Sequence, residues 1–217
     1  METPAAGASL IKLSHCGKAI YCGSVPRACP LCGLGLGSLK LEDAPLSIPS
    51  PLANGHRQRC AFLLKPTEGT FLRDYNGSSD LHVGITSTNG IVYNYNEKGV
   101  RRDGAGWEQS VSVPLVQPDL YGLLGRWDDY LEEFSATDDW LADRYSGDQH
   151  NCYSYALKFI NWMLTLEGRR QLTRDEFIEQ FVVPRTRKAS KFITLYQAIE
   201  DHGFYITDHP GRHAAPP

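Results

Sequence analysis

Cys152 stands apart from the other five cysteines, all of which lie before residue 61. It follows Asn151 at the start of the stretch Asn-Cys-Tyr-Ser-Tyr-Ala-Leu-Lys-Phe-Ile-Asn, residues 151–161. Asn151 is a favourable helix cap. Behind it Tyr155, Ala156, Phe159, Ile160 and Met163 recur three and four residues apart, the spacing of a buried helical stripe. Cys152 is then the first helical residue. Unpaired amides and the positive end of the helix dipole favour a thiolate there and should depress its pKa. The same amides offer part of an oxyanion hole. Such a thiol needs an imidazole within hydrogen-bond reach, and the imidazole needs an orienting partner. The competing reading is an inert core thiol.

His82 is the natural imidazole. It lies in Leu81-His-Val-Gly-Ile-Thr86, an alternating strand in which Gly84 permits close approach of another chain or a substrate. Asn89-Gly90 marks a hairpin, and the returning strand, Ile91 to Tyr95, carries Tyr93 and brings Asn94 towards His82. An amide such as Asn94 can accept from one ring nitrogen and fix the tautomer; Tyr93 is the alternative if the register turns Asn94 away. His82 taken alone reads first as a satisfied sheet histidine; it is the combination with Cys152 and Asn94 that points to a site. His150 precedes the helix cap, and His202 and His209 have no partner pattern. No Gly-x-Ser-x-Gly elbow, phosphate loop or dinucleotide fingerprint occurs.

A second group of chemistry-bearing residues crowds the N-terminal stretch. Cys29-Pro-Leu-Cys32-Gly is a knuckle in which two thiolates hold one metal and Gly33 lets amides turn toward the sulfurs. Cys16 and Cys22 are the nearest candidates to complete a structural Zn²⁺ site with Cys29 and Cys32. His15 and the His56-x3-Cys60 pair compete with them. Four protein ligands leave no open position for water, so the metal would be structural. A segment with so few large apolar residues needs such a staple to fold. The alternative is a set of free thiols.

The elements that must position these residues follow from the rest of the chain. Its 217 residues suffice for one sizeable core and a small accessory module. The formal charge of -3 gives no footprint for nucleic acid, and the basic run from Arg185 to Lys191 reads as the solvated face of a helix. No apolar stretch approaches the roughly 20 residues of a membrane span, and the N-terminus lacks signal-peptide character. A cytoplasmic or nuclear location is expected, where metal ligation or catalysis suits cysteines better than disulfides. A Gly-, Pro- and Ser-rich linker is expected between the modules. Beyond it, strands are expected over Ala61–Leu64, the two arms of the hairpin, and Trp107–Leu115. A helix is then expected from Asp119 to about Phe134, before the Cys152 helix. The capping box Thr173-Arg-Asp-Glu176 opens another, closed before Pro184. A further helix runs from about Thr186 to His202, stopped by Gly203, with a last strand over Phe204–Thr207.

Two resemblances add to this. His-Asn-Cys-Tyr-Ser-Tyr-Ala-Leu-Lys-Phe-Ile-Asn, reached after Leu-His-Val-Gly-Ile-Thr and Gly-Ile-Val-Tyr-Asn-Tyr, resembles the permuted papain-like thiol hydrolases. These are the PPPDE (DeSI) desumoylating or deubiquitinating peptidases and the lecithin-retinol-acyltransferase-like enzymes, and the resemblance covers roughly residues 60 to 165. It implies Cys152 as nucleophile, His82 as base and Asn94 as orienting residue. Cys-Tyr-Ser-Tyr stands where the acyltransferase-like group has Cys-Glu-His-Phe, which weakens that branch. The whole chain resembles the makorin opposite-strand protein family through stretches such as Ser-Leu-Ile-Lys-Leu-Ser-His-Cys and Gly-Trp-Glu-Gln-Ser-Val-Ser-Val-Pro-Leu, a resemblance that implies no established activity.

The expected fold is α+β. A zinc-ribbon-like module (1–36) and a linker (37–59) precede a circularly permuted papain-like, NlpC/P60-type domain (60–208), its antiparallel sheet packed on helices; a tail (209–217) follows. The expected function is cysteine hydrolysis of a peptide, isopeptide or acyl bond, with a protein or ubiquitin-like substrate and no nucleic-acid partner. The alternatives are a non-catalytic interaction module and a zinc-scaffold adaptor.

Overall fold

A computed structural model of the chain describes residues 9–37, 41, 43–116 and 124–208. The fold is mixed α and β, with two antiparallel sheets. Two compact units hold them: one formed within Met1–Ser50 and Ser190–Pro217, the other by Pro51–Ala189.

The first unit is built on a four-stranded sheet in the order β3-β1-β2-β9. Strands β1 (Leu10–His15) and β2 (Lys18–Cys22) form a hairpin whose two-residue turn is Cys16-Gly17. Both turn residues take positive φ, 55° and 66°, which suits the right-handed twist of a tight hairpin but is rare for a residue with a side chain. β3 (Leu46–Ile48) pairs with β1, and β9 (Phe204–Asp208) pairs with β2 along its whole length, helped by a Lys18–Asp208 ion pair. Leu13, Ile20, Cys22, Cys29 and Leu36 form its buried cluster. The sequence division assigned residues 37–59 to a linker and 204–208 to the larger domain. Long-range pairing with β1 and β2 draws segments of both into the first sheet, and no local pattern encodes such pairing. The expected tail from residue 209 lies outside the described residues.

The second unit carries a five-stranded sheet, β7-β6-β5-β4-β8. The strands are β4 (Ala61–Pro66), β5 (Leu81–Thr86), β6 (Val92–Asn96), β7 (Gly99–Asp103) and β8 (Val111–Pro114). Phe62 pairs with Ile85 and Leu64 with Val83, so these four share one face. That face meets helices: the Phe62 ring lies 6.4 Å from Tyr153 and 5.0 Å from Phe177. Leu63, Gly84, Lys65 and His82 share the other face, covered by Trp107 with Ala61 and Val92. A Cβ on Gly84 would come within 2.7 Å of Val92 Cγ1 and 3.1 Å of Trp107 Cη2. The close approach expected at Gly84 is thus used by the chain's own tryptophan.

The helices are α1 (Trp127–Ser135), α2 (Cys152–Leu166), α3 (Arg174–Phe177) and α4 (Val183–His202). Asp119, the expected start of α1, lies outside the described residues. Tyr155, Ala156, Phe159, Ile160 and Met163 of α2 are all buried, as their periodicity requires. Tyr155 reaches Tyr95, Phe134 and Trp140 in one aromatic cluster. Thr173 and Glu176 form their capping box, but the helix does not close before Pro184: a π turn over Ile178–Val182 carries it into α4. The π turn, in which Val183 N donates to Ile178 O, already breaks the regular ladder of helical bonds just before Pro184, where the proline has no N–H to give. No helix among the described residues is long and apolar enough to cross a membrane.

Candidate functional site

The pairing of β5 with β6 is short. It spans only Ile85–Tyr93 and Thr86–Val92, so the two strands part on the N-terminal side of Ile85. Two groups bear on this end of the strands. On α2, the Cys152 thiol lies where the Val83, Tyr153 and Cys152 amides favour its ionised form. From the strands, His82 Nε2 donates to Asn94 Oδ1 at 2.9 Å.

The orientation of Asn94 is fixed by what lies behind it. Its Nδ2 donates to Asp103 Oδ2 at 2.8 Å and to Val92 O at 3.4 Å, and Trp107 Nε1 donates to the same Asp103 oxygen at 3.3 Å. A carboxylate only accepts, so the amide nitrogen must face Asp103 and the oxygen must face His82. The neutral ring therefore carries its proton on Nε2 and its lone pair on Nδ1. The ring also sits against the Trp107 indole, with centroids 5.8 Å apart. Burial holds the His82 pKa below its ordinary 6.5, with Lys65 acting in the same direction; Asn94, Asp103 and Glu97 only partly offset this. The imidazole is neutral near pH 7, as a base must be.

Cys152 sits at the first position of α2, as its sequence context requires. Asn151 Oδ1 accepts from Tyr153 N and Ser154 N, at 3.0 and 3.2 Å, and Ser154 Oγ accepts from Asn151 N at 2.8 Å. The expected depression of the thiol pKa is not found. The side chain is only 7% exposed, and burial raises the pKa above 9.0 against the opposing pull of the Val83, Tyr153 and Cys152 amides and Arg174. No hydrogen bond joins the thiol to the His82 ring among the described residues: the ring's partner is Asn94. His82 and Asn94 line a cleft of about 530 Å³ that Asn151, the residue before Cys152, also walls.

Asp103 and Trp107 escaped the sequence reading. Val92 pairs with Asp103, so β7 is a strand, but Gly-Val-Arg-Arg-Asp presents two consecutive arginines and no apolar alternation to mark it. The alternation of β6 was the usable signal: it placed His82 and Asn94 on one face, which the 2.9 Å bond requires.

The metal-ligating residues assemble differently from the expected set. His15, Cys16, Cys29 and Cys32 bring their ligand atoms within 4.8 Å of one another and could hold a metal ion. Cys22, one of the four expected ligands, is not among them. It is an inward-facing β2 residue, packed in the apolar cluster with Sγ 3.7 Å from Ile11 O, and burial raises its pKa. His15 takes its place, with Nδ1 lying 3.1 Å from Cys16 Sγ and 3.7 Å from Cys32 Sγ. Adjacent residues can converge in this way because Cys16 adopts the left-handed conformation, which turns its side chain back toward that of His15. At the knuckle, Leu31 N donates to Cys29 Sγ at 3.4 Å. Burial alone would raise the Cys29 thiol, but the Cys32 and Leu31 amides, with the Cys32 and His15 side chains, bring it down to about 7. The competing pair is committed elsewhere. His56 Nδ1 donates to Gly90 O at 2.8 Å, and burial with the nearby Asp128 pushes buried Cys60 up to about 12.

The whole chain aligns with the human (Homo sapiens) MKRN2 opposite strand protein at 62% identity over 217 residues, covering 100% of this chain and 97% of that protein. The family models described as DUF4796 N-terminal and DUF4796 C-terminal match residues 8–36 and 45–199. No solved structure matches.

Proposed function

We propose that this chain, which belongs to the DUF4796 family, is a cysteine hydrolase of permuted papain-like fold that cleaves a peptide, isopeptide or acyl bond. One observation carries the proposal: the hydrogen-bonded chain Asp103–Asn94–His82 leaves the His82 Nδ1 lone pair unprotonated in the cleft that Asn151 also walls. A sheet histidine needed only for packing has no use for an amide whose orientation is itself set by a half-buried carboxylate. The adjoining helix begins on a thiol whose ionised form nearby backbone amides favour against its burial.

In the reaction the Cys152 S–H proton passes to His82 Nδ1 as the sulfur attacks the carbonyl carbon. The carbonyl oxygen takes the electron pair, and the tetrahedral adduct collapses to a thioester as the leaving amine or alkoxide receives the proton from His82. Water, deprotonated by the same ring, then cleaves the thioester and restores the thiol. The raised thiol pKa requires proton transfer during attack in place of a preformed ion pair.

The second reading, a non-catalytic interaction module, is favoured by the burial of the thiol and its lack of a bond to the ring. Incubation with fluorogenic peptide, isopeptide and ester substrates, followed by intact mass measurement, separates the two. The hydrolase reading expects turnover and an acyl mass increment on Cys152, both lost in Cys152→Ser. No turnover and no increment from any substrate class would favour the module.

For the first unit we propose a structural Zn²⁺ held by His15, Cys16, Cys29 and Cys32. Three soft sulfurs and an imidazole suit zinc and disfavour the hard cations. The left-handed Cys16 costs about 1–3 kcal/mol, which ligation offsets. Elemental analysis should find about one zinc per chain; less than about a third of an equivalent would contradict the site, since such metals bind with roughly 10 kcal/mol.

A further inference from the structure

The cleft beside His82 has a charge character that the hydrolase reading does not use. Its walls include three carboxylates, Asp80, Glu97 and Asp103, and one cationic side chain, Lys65. Asp103 is occupied by Asn94 and Trp107. Lys65 stands against them as the one cation of the lining, with its Nζ donating to Gly106 O at 2.9 Å and lying 5.0 Å from the centre of the Trp107 ring. Asp80 and Glu97 are exposed. Glu97 is near enough to act electrostatically on both His82 and Tyr145, which places its charge over the cleft floor. The remaining walls are mostly polar, with Asn94, Asn96 and Asn151 offering amides. An acyl chain would find little apolar surface here and would desolvate carboxylates on entering.

We infer that the segment of substrate held in this cleft is a basic peptide, with a lysine or arginine side chain reaching Glu97 and Asp80, rather than the acyl chain of a lipid. The inference rests on the proposed active site for its meaning, since the cleft matters only if chemistry occurs beside it. Asn94 and Asn151 are engaged with His82, Asp103 and the α2 cap, which leaves Asn96 as the amide for a peptide backbone, and the carboxylates supply specificity and steering for a cationic side chain.

The test is binding, read separately from turnover. Acetylated trilysine amide and acetylated triglutamate amide are titrated at low salt into full-length protein carrying ¹³C-labelled histidine, and the His82 ring resonance is followed. The lysine peptide should shift that resonance and the glutamate peptide should not. Replacing Asp80 and Glu97 together with Asn and Gln should weaken the lysine peptide by about five- to tenfold, the product of two partly exposed pairs. Asp129→Asn, an exposed acid on α1, should leave binding unchanged. Equal shifts from both peptides, no shift from either, or lysine-peptide binding indifferent to the double substitution would overturn the inference. Charge-selective binding without turnover would leave it standing while defeating the hydrolase reading. Turnover of a neutral ester without charge selectivity would do the reverse.

Discussion

Asn94→Ala removes the side chain that joins the imidazole to the half-buried carboxylate of Asp103. The structure fixes what is lost. His82 Nε2 forfeits a 2.9 Å bond, and Asp103 Oδ2 forfeits a 2.8 Å bond from a neutral amide. Asp103 keeps only the longer bond from Trp107 Nε1, at 3.3 Å. A bond to a charged group is worth about 1.5–3 kcal/mol and one between neutral groups about 1. Asn94 is 2% exposed, so water does not readily replace it. The sum is a destabilisation of about 2–4 kcal/mol, measured as a lower urea midpoint at unchanged slope. Because the bond to Asn94 is one of the influences that raise the His82 pKa against burial, its loss should lower that pKa further. ¹⁵N spectra of the ring should show the Nε2–H tautomer giving way to a mixture. A midpoint within about 0.5 kcal/mol of the parent, the scatter of ordinary surface substitutions, together with an unchanged tautomer, would refute the orienting role of Asn94.

Gly84→Ala should cost about 1–3 kcal/mol in the same urea assay, because its Cβ meets Val92 Cγ1 at 2.7 Å and Tyr93 O at 3.0 Å in a filled layer. Cys16→Ser should release the bound metal, whereas Cys22→Ala should retain a full equivalent while loosening the apolar cluster around it; elemental analysis of both variants separates ligand from core thiol. Stability should also fall below about pH 6.5. There the unfolded chain protonates His82 at its ordinary pKa while the folded ring resists, so the stabilisation present above 6.5 is lost as pH drops toward the depressed folded value. Urea melts at pH 7.5 and 5.5 should show a smaller loss for His82→Gln than for the parent.

Much of the second unit was legible because its signals are local. The β5 bounds, the Asn151 cap and the α2 stripe each follow from a few adjacent residues whose alternation, side-chain oxygen or periodicity decides the outcome. The convergence of His82 and Asn94 followed from the same alternation once a hairpin was assumed. What was not legible depends on distance or on competition. Cys152 at the first position of a helix invites a low pKa, but its burial outweighs the pull of the dipole and of the nearby amides, and burial cannot be read from a helix start. Cys22 has the spacing of a ligand and the strand phase of a core residue; the phase wins because β2 is clamped between β1 and β9. His15 and Cys16 share one site only because the turn forces a positive φ on a cysteine. A spacing rule for paired ligands does not anticipate neighbours.

The central claim is that His82 acts as the base for Cys152, and the pH profile of Cys152 alkylation tests it most directly. Native protein is treated briefly with iodoacetamide from pH 6 to 10, and labelled Cys152 is quantified by peptide mass mapping, for the parent and for His82→Ala. With a neutral imidazole assisting, the parent rate should hold a level limb across pH 7 to 8.5 and rise only as the burial-raised thiol ionises above 9.0. The variant should lose the level limb by about tenfold or more, the lower range for general-base assistance being about a hundredfold, and keep the alkaline rise. Superimposable profiles, or a Cys152 that labels only after denaturation at every pH, would contradict the account.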